Sequence, residues 1–423
     1  MKRRLLPMMM TLVLVCALPI WAAFVTSGDV TNPLVCTAWA TLPDLQAKID
    51  AAADNATITL DSDTTITETL VITGKTLTLD LNGCTLRMRG SGSVLRVKKD
   101  PHPATLTITD SSAAKSGTIT GGTGTKEEYW THYTLGGAVY LEEGTTLELE
   151  GGTITGSSSD SSVFIRTGAT FVMTGGTITG ETVGVHNNVG TFTMTGGRIT
   201  GCSDRGVYVY NGRMEMSKSA YVGGNNTKNI VEDILIEEPV QTTARLSVES
   251  GTIQGNVRIK FGRNLGMTQE SLKPVANSVV KEGGVFDGHI KVEIGTSGTC
   301  VDYNSVNFID EVANTRTLKL VLQPNAVEEP ETPATVNGRE FMYWTKEGAS
   351  EAWDFNTVIE VPLTLYAVRT PASSSGGYYY YPTTDTKTDD TKGSPKTADP
   401  GVALYAALSL LSLTGLTCTA KKR

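Results

Sequence analysis

Through the middle of the chain, apolar and polar side chains alternate in short runs, and the runs repeat as sets. Leu147-x-Leu149 is matched by Phe171-x-Met173, Phe192-x-Met194 and Met214-x-Met216, and Val139 by Val163, Val185 and Val207. Gly151-Gly152-Thr153-Ile154-Thr155-Gly156 recurs as Gly175-Gly176-Thr177-Ile178-Thr179-Gly180 and as Gly196-Gly197-Arg198-Ile199-Thr200-Gly201. The central isoleucines stand 24 and 21 residues apart, and shorter copies run Gly117–Gly121 and Gly251–Gly255. Alternation at period two predicts strands with one buried face. Three strands in 21–24 residues leave no space for a helix between them. One unit cannot cover its own apolar face, so its neighbours must stack on it.

These observations predict an all-β fold, a right-handed parallel β-helix with one unit per three-strand coil and coils ~4.8 Å apart. A β-propeller needs about 40–50 residues per blade, roughly twice this period. A leucine-rich repeat would need a leucine–asparagine spacing that is missing here. Open coil ends must be capped. Leu42, Leu45, Ile49 and Ala52 fall on one helical face, which predicts a capping helix over 41–55 with Thr41 as N-cap. Strands are expected at Ala56–Leu60, Thr69–Ile72 and Thr76–Leu81. Two later coils are expected from Ser247-Val248 to Ile259 and from Val279-Val280 to Val292.

The stretch Thr76-Leu77-Thr78-Leu79-Asp80-Leu81-Asn82-Gly83 resembles the first coil of many pectate-lyase-like and adhesin-type β-helix proteins. With the glycine units, the resemblance covers about residues 56–300 and implies a β-helix domain over 56–310. It says little about function, because the fold hosts lyases, glycosidases and inert stalks alike. Beyond it, Leu318–Leu322, Tyr343-Trp344, Trp353-Asp354-Phe355 and Leu365-Tyr366-Ala367 resemble the small β repeat (B repeat) of internalin-type surface proteins. That implies a small β module over 316–370, with Trp344 and Trp353 in its core. The Asn-Gly-Gly turn of that repeat is absent. Residues 371–393, rich in Ser, Thr, Gly, Pro and Asp, read as a disordered wall-spanning linker holding Tyr378–Tyr381.

The two ends read as addresses. Met1-Lys2-Arg3-Arg4, an apolar run from Leu5 to Ile20 and small residues at Ala22-Ala23 predict a signal peptide over 1–27, cleaved after Ala23 or nearer Ser27. An uncleaved anchor helix is the alternative. Residues 394–423 hold Ser394-Pro395-Lys396-Thr397-Ala398, an apolar transmembrane stretch over 402–420 and Lys421-Lys422-Arg423. This order resembles the sorting signal of Gram-positive wall proteins. The resemblance implies a sortase as partner, cleavage after Thr397 and linkage of Thr397 to peptidoglycan, hence a secreted, wall-anchored protein. Ser394 replaces the usual leucine and Ala398 the usual glycine. A plain single-pass anchor would need only the stretch and the charges.

Of 423 residues, 44 are acidic and 36 basic, a net charge of −8. Removing both ends would take away more bases than acids. Such a chain is unsuited to phosphate-driven nucleic-acid binding or to anionic lipid. Four histidines and six cysteines without close pairing give no zinc spacing and no disulfide framework, so no metal and no cofactor are expected. Cys84 and Cys202 are expected as buried thiols.

With the valines inward, the next residues, Tyr140, Phe164, His186 and Tyr208, point outward as a ladder. Glu142, Arg166, Asn188 and Tyr210 form a polar stripe beside it, and Lys126–Tyr133, with Trp130, reads as an inserted loop. A glycan suits such a surface, its sugar faces on rings and its hydroxyls on Glu142, Arg166 and Asn188. Alternatively, the stacked rings only stabilise the coil. For catalysis the candidates are Asp160, Arg166, His186, Asp204 and Arg205, with Asp160 and Asp204 the one obvious acid pair. Both aspartates lie in Ser-rich corners, where solvated turn aspartates are common. Three readings follow: a wall-anchored protein binding an extracellular glycan or host surface, which is favoured; a polysaccharide lyase or glycosidase on the same fold; and a spacer without a specific ligand.

Overall fold

Ile119, Ile154, Ile178 and Ile199 stand in consecutive parallel register, as the repeat requires. The computed structural model describes residues 43–126, 133–180, 182–225, 232–238, 246–262, 268–281, 284–295 and 299–372. The expected leader, linker with Tyr378–Tyr381, and sorting signal (Pro395, Lys396, Thr397, Ala398) lie outside them. Among the described residues no helix is long and apolar enough to cross a membrane.

The repeating strands build a parallel β-helix. Its coils contribute to an eight-stranded, a nine-stranded and a thirteen-stranded sheet, and every coil-to-coil pairing is parallel. The register Leu147, Phe171, Phe192, Met214 forms one inner row, each member fully buried. Phe171 and Phe192 stack face to face, with centroids 4.9 Å apart and planes 8° from parallel. Burying each such side chain contributes about 1.5–3 kcal/mol. The inner row of the third sheet holds Val139, Val163, Val185 and Val207.

The paired glycines have two separate causes. A Cβ on Gly175 would stand 2.1 Å from the Glu150 carbonyl oxygen of the preceding coil. Gly176 has φ +73°, which a side chain disfavours. Another corner is held by buried Asp110, which accepts hydrogen bonds from the backbone N–H groups of Gly83 (2.9 Å), Ser112 (3.1 Å) and Gly117 (2.6 Å).

The first coil is closed by the helix Pro43–Ala51. Leu45 and Ile49 enter the coil core, as the helical face requires, while Thr41 lies outside the described residues. Gln46 satisfies an open strand edge by accepting from Val71 N (2.9 Å) and donating to Val71 O (3.1 Å). The Lys75 ammonium donates to the carbonyls of Ile49, Asp50 and Ala52, which caps the helix end. The helix therefore stops short of the expected residue 55. The early strands are Ala56–Thr59, Leu70–Thr73 and Thr76–Asp80, each within a residue of expectation. Both expected late coils are present, the second entering through the Val248↔Val280 bridge.

Among the described residues, two elements beyond the regular coils were not expected. The helix Gln269–Asn277 contains Pro274 and buries Leu272, Val275 and Ala276. The strand Cys300–Asp310 pairs antiparallel with His289–Ile294 and with Thr315–Leu322, and parallel with Leu363–Arg369. Its first half, with Val301 and Tyr303, joins the coil core. Its second half, with Val306 and Phe308, joins a smaller core of Val321, Val327, Trp344, Ile359 and Leu365, against which Trp353 packs. One strand thus serves both cores, and the expected boundary near residues 310–316 falls in the turn that follows it. Cys202 is buried as expected; Cys84, at a coil corner, is only half-buried.

Candidate functional site

The outer face of the thirteen-stranded sheet carries the ring ladder. In consecutive register stand Arg96, Tyr140, Phe164, His186 and Tyr208. The rings touch in sequence: Tyr140–Phe164 at 5.2 Å, Phe164–His186 edge-on at 5.1 Å, and His186–Tyr208 at 4.6 Å. A cation stands over each end, Arg96 at 5.6 Å from the Tyr140 ring and Arg205 at 5.9 Å from the Tyr208 ring.

The ladder is not the open strip the alternation suggests. Tyr140, Phe164 and His186 are 2%, 1% and 5% exposed. Strands Thr125–Lys126 and Thr134–Leu135 form a hairpin whose Leu135 joins Tyr140 and Phe164 in a separate apolar cluster. Asp160 ties this hairpin down, its Oδ2 accepting from Thr134 N at 2.6 Å and from Thr134 Oγ1 at 3.3 Å. Gly136 passes so close that a Cβ there would meet Phe164 Cβ and Tyr140 Cα, each at 3.1 Å. Period-two alternation gives the direction of a side chain, but not whether another segment covers it. Trp130, the aromatic of the expected inserted loop, lies outside the described residues.

Burial, followed by the positive charge of Arg205, pushes His186 down to about 3, so its imidazole is neutral over the ordinary pH range. Burial and the hydrogen bond to Glu237 raise the Tyr208 phenol, which stays protonated and donates to Glu237 Oε2 at 2.7 Å.

The polar stripe lies where it was expected, but part of it is engaged. Glu142 Oε1 accepts from Arg96 Nε at 2.7 Å and Nη2 at 2.5 Å, so its carboxylate holds the arginine over Tyr140. Arg166, Asn188 and Tyr210 are half-buried, with Asn188 and Tyr210 paired in register. Asp160 and Asp204 occupy equivalent corners two coils apart, as the Ser161↔Val183↔Arg205 register shows. Asp160 holds the hairpin, and Asp204 bonds Arg205 at 3.2 Å. His186 is buried between Phe164 and Tyr208 rather than open to a substrate. Among the described residues, no group of three or more His, Cys, Asp or Glu stands close enough to hold a metal ion.

On later rungs the same outer rows turn ionic. Glu237 accepts from Lys260 at 3.1 Å as well as from Tyr208. Arg258 bridges Glu232 (2.7 Å) and Glu293 (2.6 Å). Ile234-Leu235-Ile236-Glu237 and Val257-Arg258-Ile259-Lys260 carry the alternation that places these side chains outward, a signal that lies beyond the four aligned valines. The face therefore has a covered apolar end, a half-open aromatic and polar middle, and a salt-bridged end.

No protein-family model, curated protein or solved structure matches this chain.

Proposed function

We propose that this chain is a secreted, wall-anchored surface protein that binds an extracellular glycan on the outer face of its thirteen-stranded sheet. The observation that carries the reading is the middle of that face. Tyr208 and Tyr210 lie half-buried on adjacent outward rows, with Asn188 in register beside Tyr210 and Arg166 on the stripe. Rings with side-chain amide and guanidinium donors nearby are what a saccharide needs, an apolar face for its C–H surface and partners for its hydroxyls. The buried ladder beside them holds the Tyr208 ring in place through His186 before any ligand arrives, which lowers the ordering cost of binding.

Glycan-array binding tests this reading. Retained sugars should be lost on Tyr210→Ala and weakened on Asn188→Ala, while Tyr208→Phe, which keeps the ring, should retain them. Absence of any retained sugar, or equal binding by Tyr210→Ala, would leave the face a scaffold only. The anchoring half of the proposal rests on residues 1–27 and 394–423. Thr397 should be recovered joined to peptidoglycan from digested walls, and Thr397→Ala should release the chain to the medium or leave it in the membrane.

A further inference from the structure

At the C-terminal end of the coil stack the strand Val285–Asp287 ends the nine-stranded sheet, its Phe286 carbonyl accepting from Asn307 Nδ2 at 2.9 Å. The strand Thr315–Leu322 pairs only with Cys300–Asp310, which leaves its other edge open among the described residues. A cleft of about 410 Å3 lies between Val280, Lys281, Gly284 and Val285 on one side and the start of the strand Thr315–Leu322 on the other, within the range of ligand-binding clefts. Val280, Val285 and Leu318 make its apolar lining, Thr317 adds a hydroxyl, and Lys281 and Arg316 bring positive charge.

The two cations differ in how far they are engaged. The Lys281 ammonium pairs with Glu249 at 2.8 Å on an exposed surface, where such a pair is weak. Arg316 donates its Nε to Asn307 Oδ1 at 3.1 Å. Its two terminal nitrogens make no hydrogen bond or ion pair with the described residues; the Asp287 carboxylate acts on it from beyond ion-pair distance. A guanidinium presenting two parallel donors beside an apolar wall is matched by a carboxylate. An open strand edge offers main-chain N–H and C=O groups in a row, which another extended chain meets group for group at ~4.8 Å. A saccharide has no such repeat, so the edge favours a peptide over an acidic sugar.

We infer that this cleft docks an extended acidic peptide segment, added as a strand along the open edge of Thr315–Leu322 with one carboxylate on Arg316 and an apolar side chain between Val285 and Leu318. Main-chain bonds along the edge supply most of the affinity, and Arg316 with Lys281 selects for negative charge. The site is separate from the ring ladder, so its failure would leave the glycan reading untouched.

The test titrates the full chain with three probes: a synthetic eight-residue peptide alternating valine and glutamate, its valine–lysine counterpart, and an oligogalacturonate. The glutamate peptide should bind and the lysine peptide should not. Arg316→Glu should weaken binding at least tenfold, with Arg316→Gln as the milder variant if the reversal lowers the melting temperature. Amide exchange at 315–322 should slow in the complex, because strand addition protects edge N–H groups. Equal binding of the two peptides, unchanged affinity in both variants, or no protection at 315–322 would overturn the proposal. So would oligogalacturonate binding at this cleft in place of the peptide.

Discussion

Asp310 and Arg369 form a buried two-oxygen ion pair across the small C-terminal core. Arg369 Nε stands 3.0 and 3.1 Å from the carboxylate oxygens and Nη2 2.5 Å from Oδ2, with both side chains 1% exposed. The remaining capacity is also used. Asp310 Oδ1 accepts from the N–H groups of Val312 and Ala313, and Arg369 Nη1 donates to the Arg339 carbonyl. The pair thus joins the end of the shared strand Cys300–Asp310 to the last strand of the described chain.

Removing one partner leaves the other charge buried and uncompensated. Asp310→Ala should cost about 3–5 kcal/mol, the usual penalty for breaking a buried pair from one side. Denaturant unfolding followed by tryptophan fluorescence should show the change, because Trp344 and Trp353 lie in or against this core.

The same pair predicts acid sensitivity. The hydrogen bonds from Arg369 hold the Asp310 carboxyl below its ordinary value. Folding therefore favours the ionised form, and the unfolded chain binds more protons as the pH drops. The stabilisation is fully present above the unfolded value of about 3.9 and is lost as pH falls through the depressed folded value. Unfolding midpoints measured from pH 6 to pH 2 should fall more steeply in the parent than in Asp310→Asn, which has no proton to bind there.

Phe171 and Phe192 should behave as a coupled unit. Either change to alanine is expected to cost about 3–5 kcal/mol, because the coil interior cannot collapse into the cavity. A double-mutant cycle should return a coupling of about 0.5–1.5 kcal/mol for the stacked pair. Additive losses would show that the 4.9 Å stack contributes only area.

Two glycine substitutions separate crowding from backbone strain. Gly338 has φ +74° with nothing within 4 Å of an added Cβ, so Gly338→Ala should cost about 1–2 kcal/mol. In Gly175→Ala the new carbon meets the Glu150 carbonyl of the preceding coil, so the loss should be larger. Thermal unfolding of the two variants side by side checks the order.

Thiol reactivity should follow burial. Burial pushes the Cys202 thiol up to about 12, and it is enclosed. It should resist an aromatic disulfide reagent until the chain unfolds, whereas half-buried Cys84 and Cys300 should react in the native state. Rapid labelling of Cys202 would mean that its coil opens locally.

The coils were legible in the sequence because each position repeats under the same constraint. Ile154, Ile178 and Ile199 point inward together, and the glycines beside them answer to one corner geometry. Outward direction at Tyr140 and Phe164 was equally legible, since it follows from the same alternation. Their burial was not, because it depends on a hairpin held by contacts distant in sequence, such as that between Asp160 and Thr134, 26 residues apart. The helix at Gln269–Asn277 was hidden by Pro274. The strand Cys300–Asp310 was hidden because Asn304 and Ser305 interrupt its alternation while both are buried, where it passes from one core to the next.

That passage has a mechanical consequence. The strands at Val306–Ile309 and Leu363–Tyr366 run in the same direction, one entered from the coils and the other leaving toward the C-terminus. A pull between the coils and the tail would load this pair lengthwise, so its cross-strand hydrogen bonds and the Asp310–Arg369 clamp would share the force at once instead of unzipping in turn.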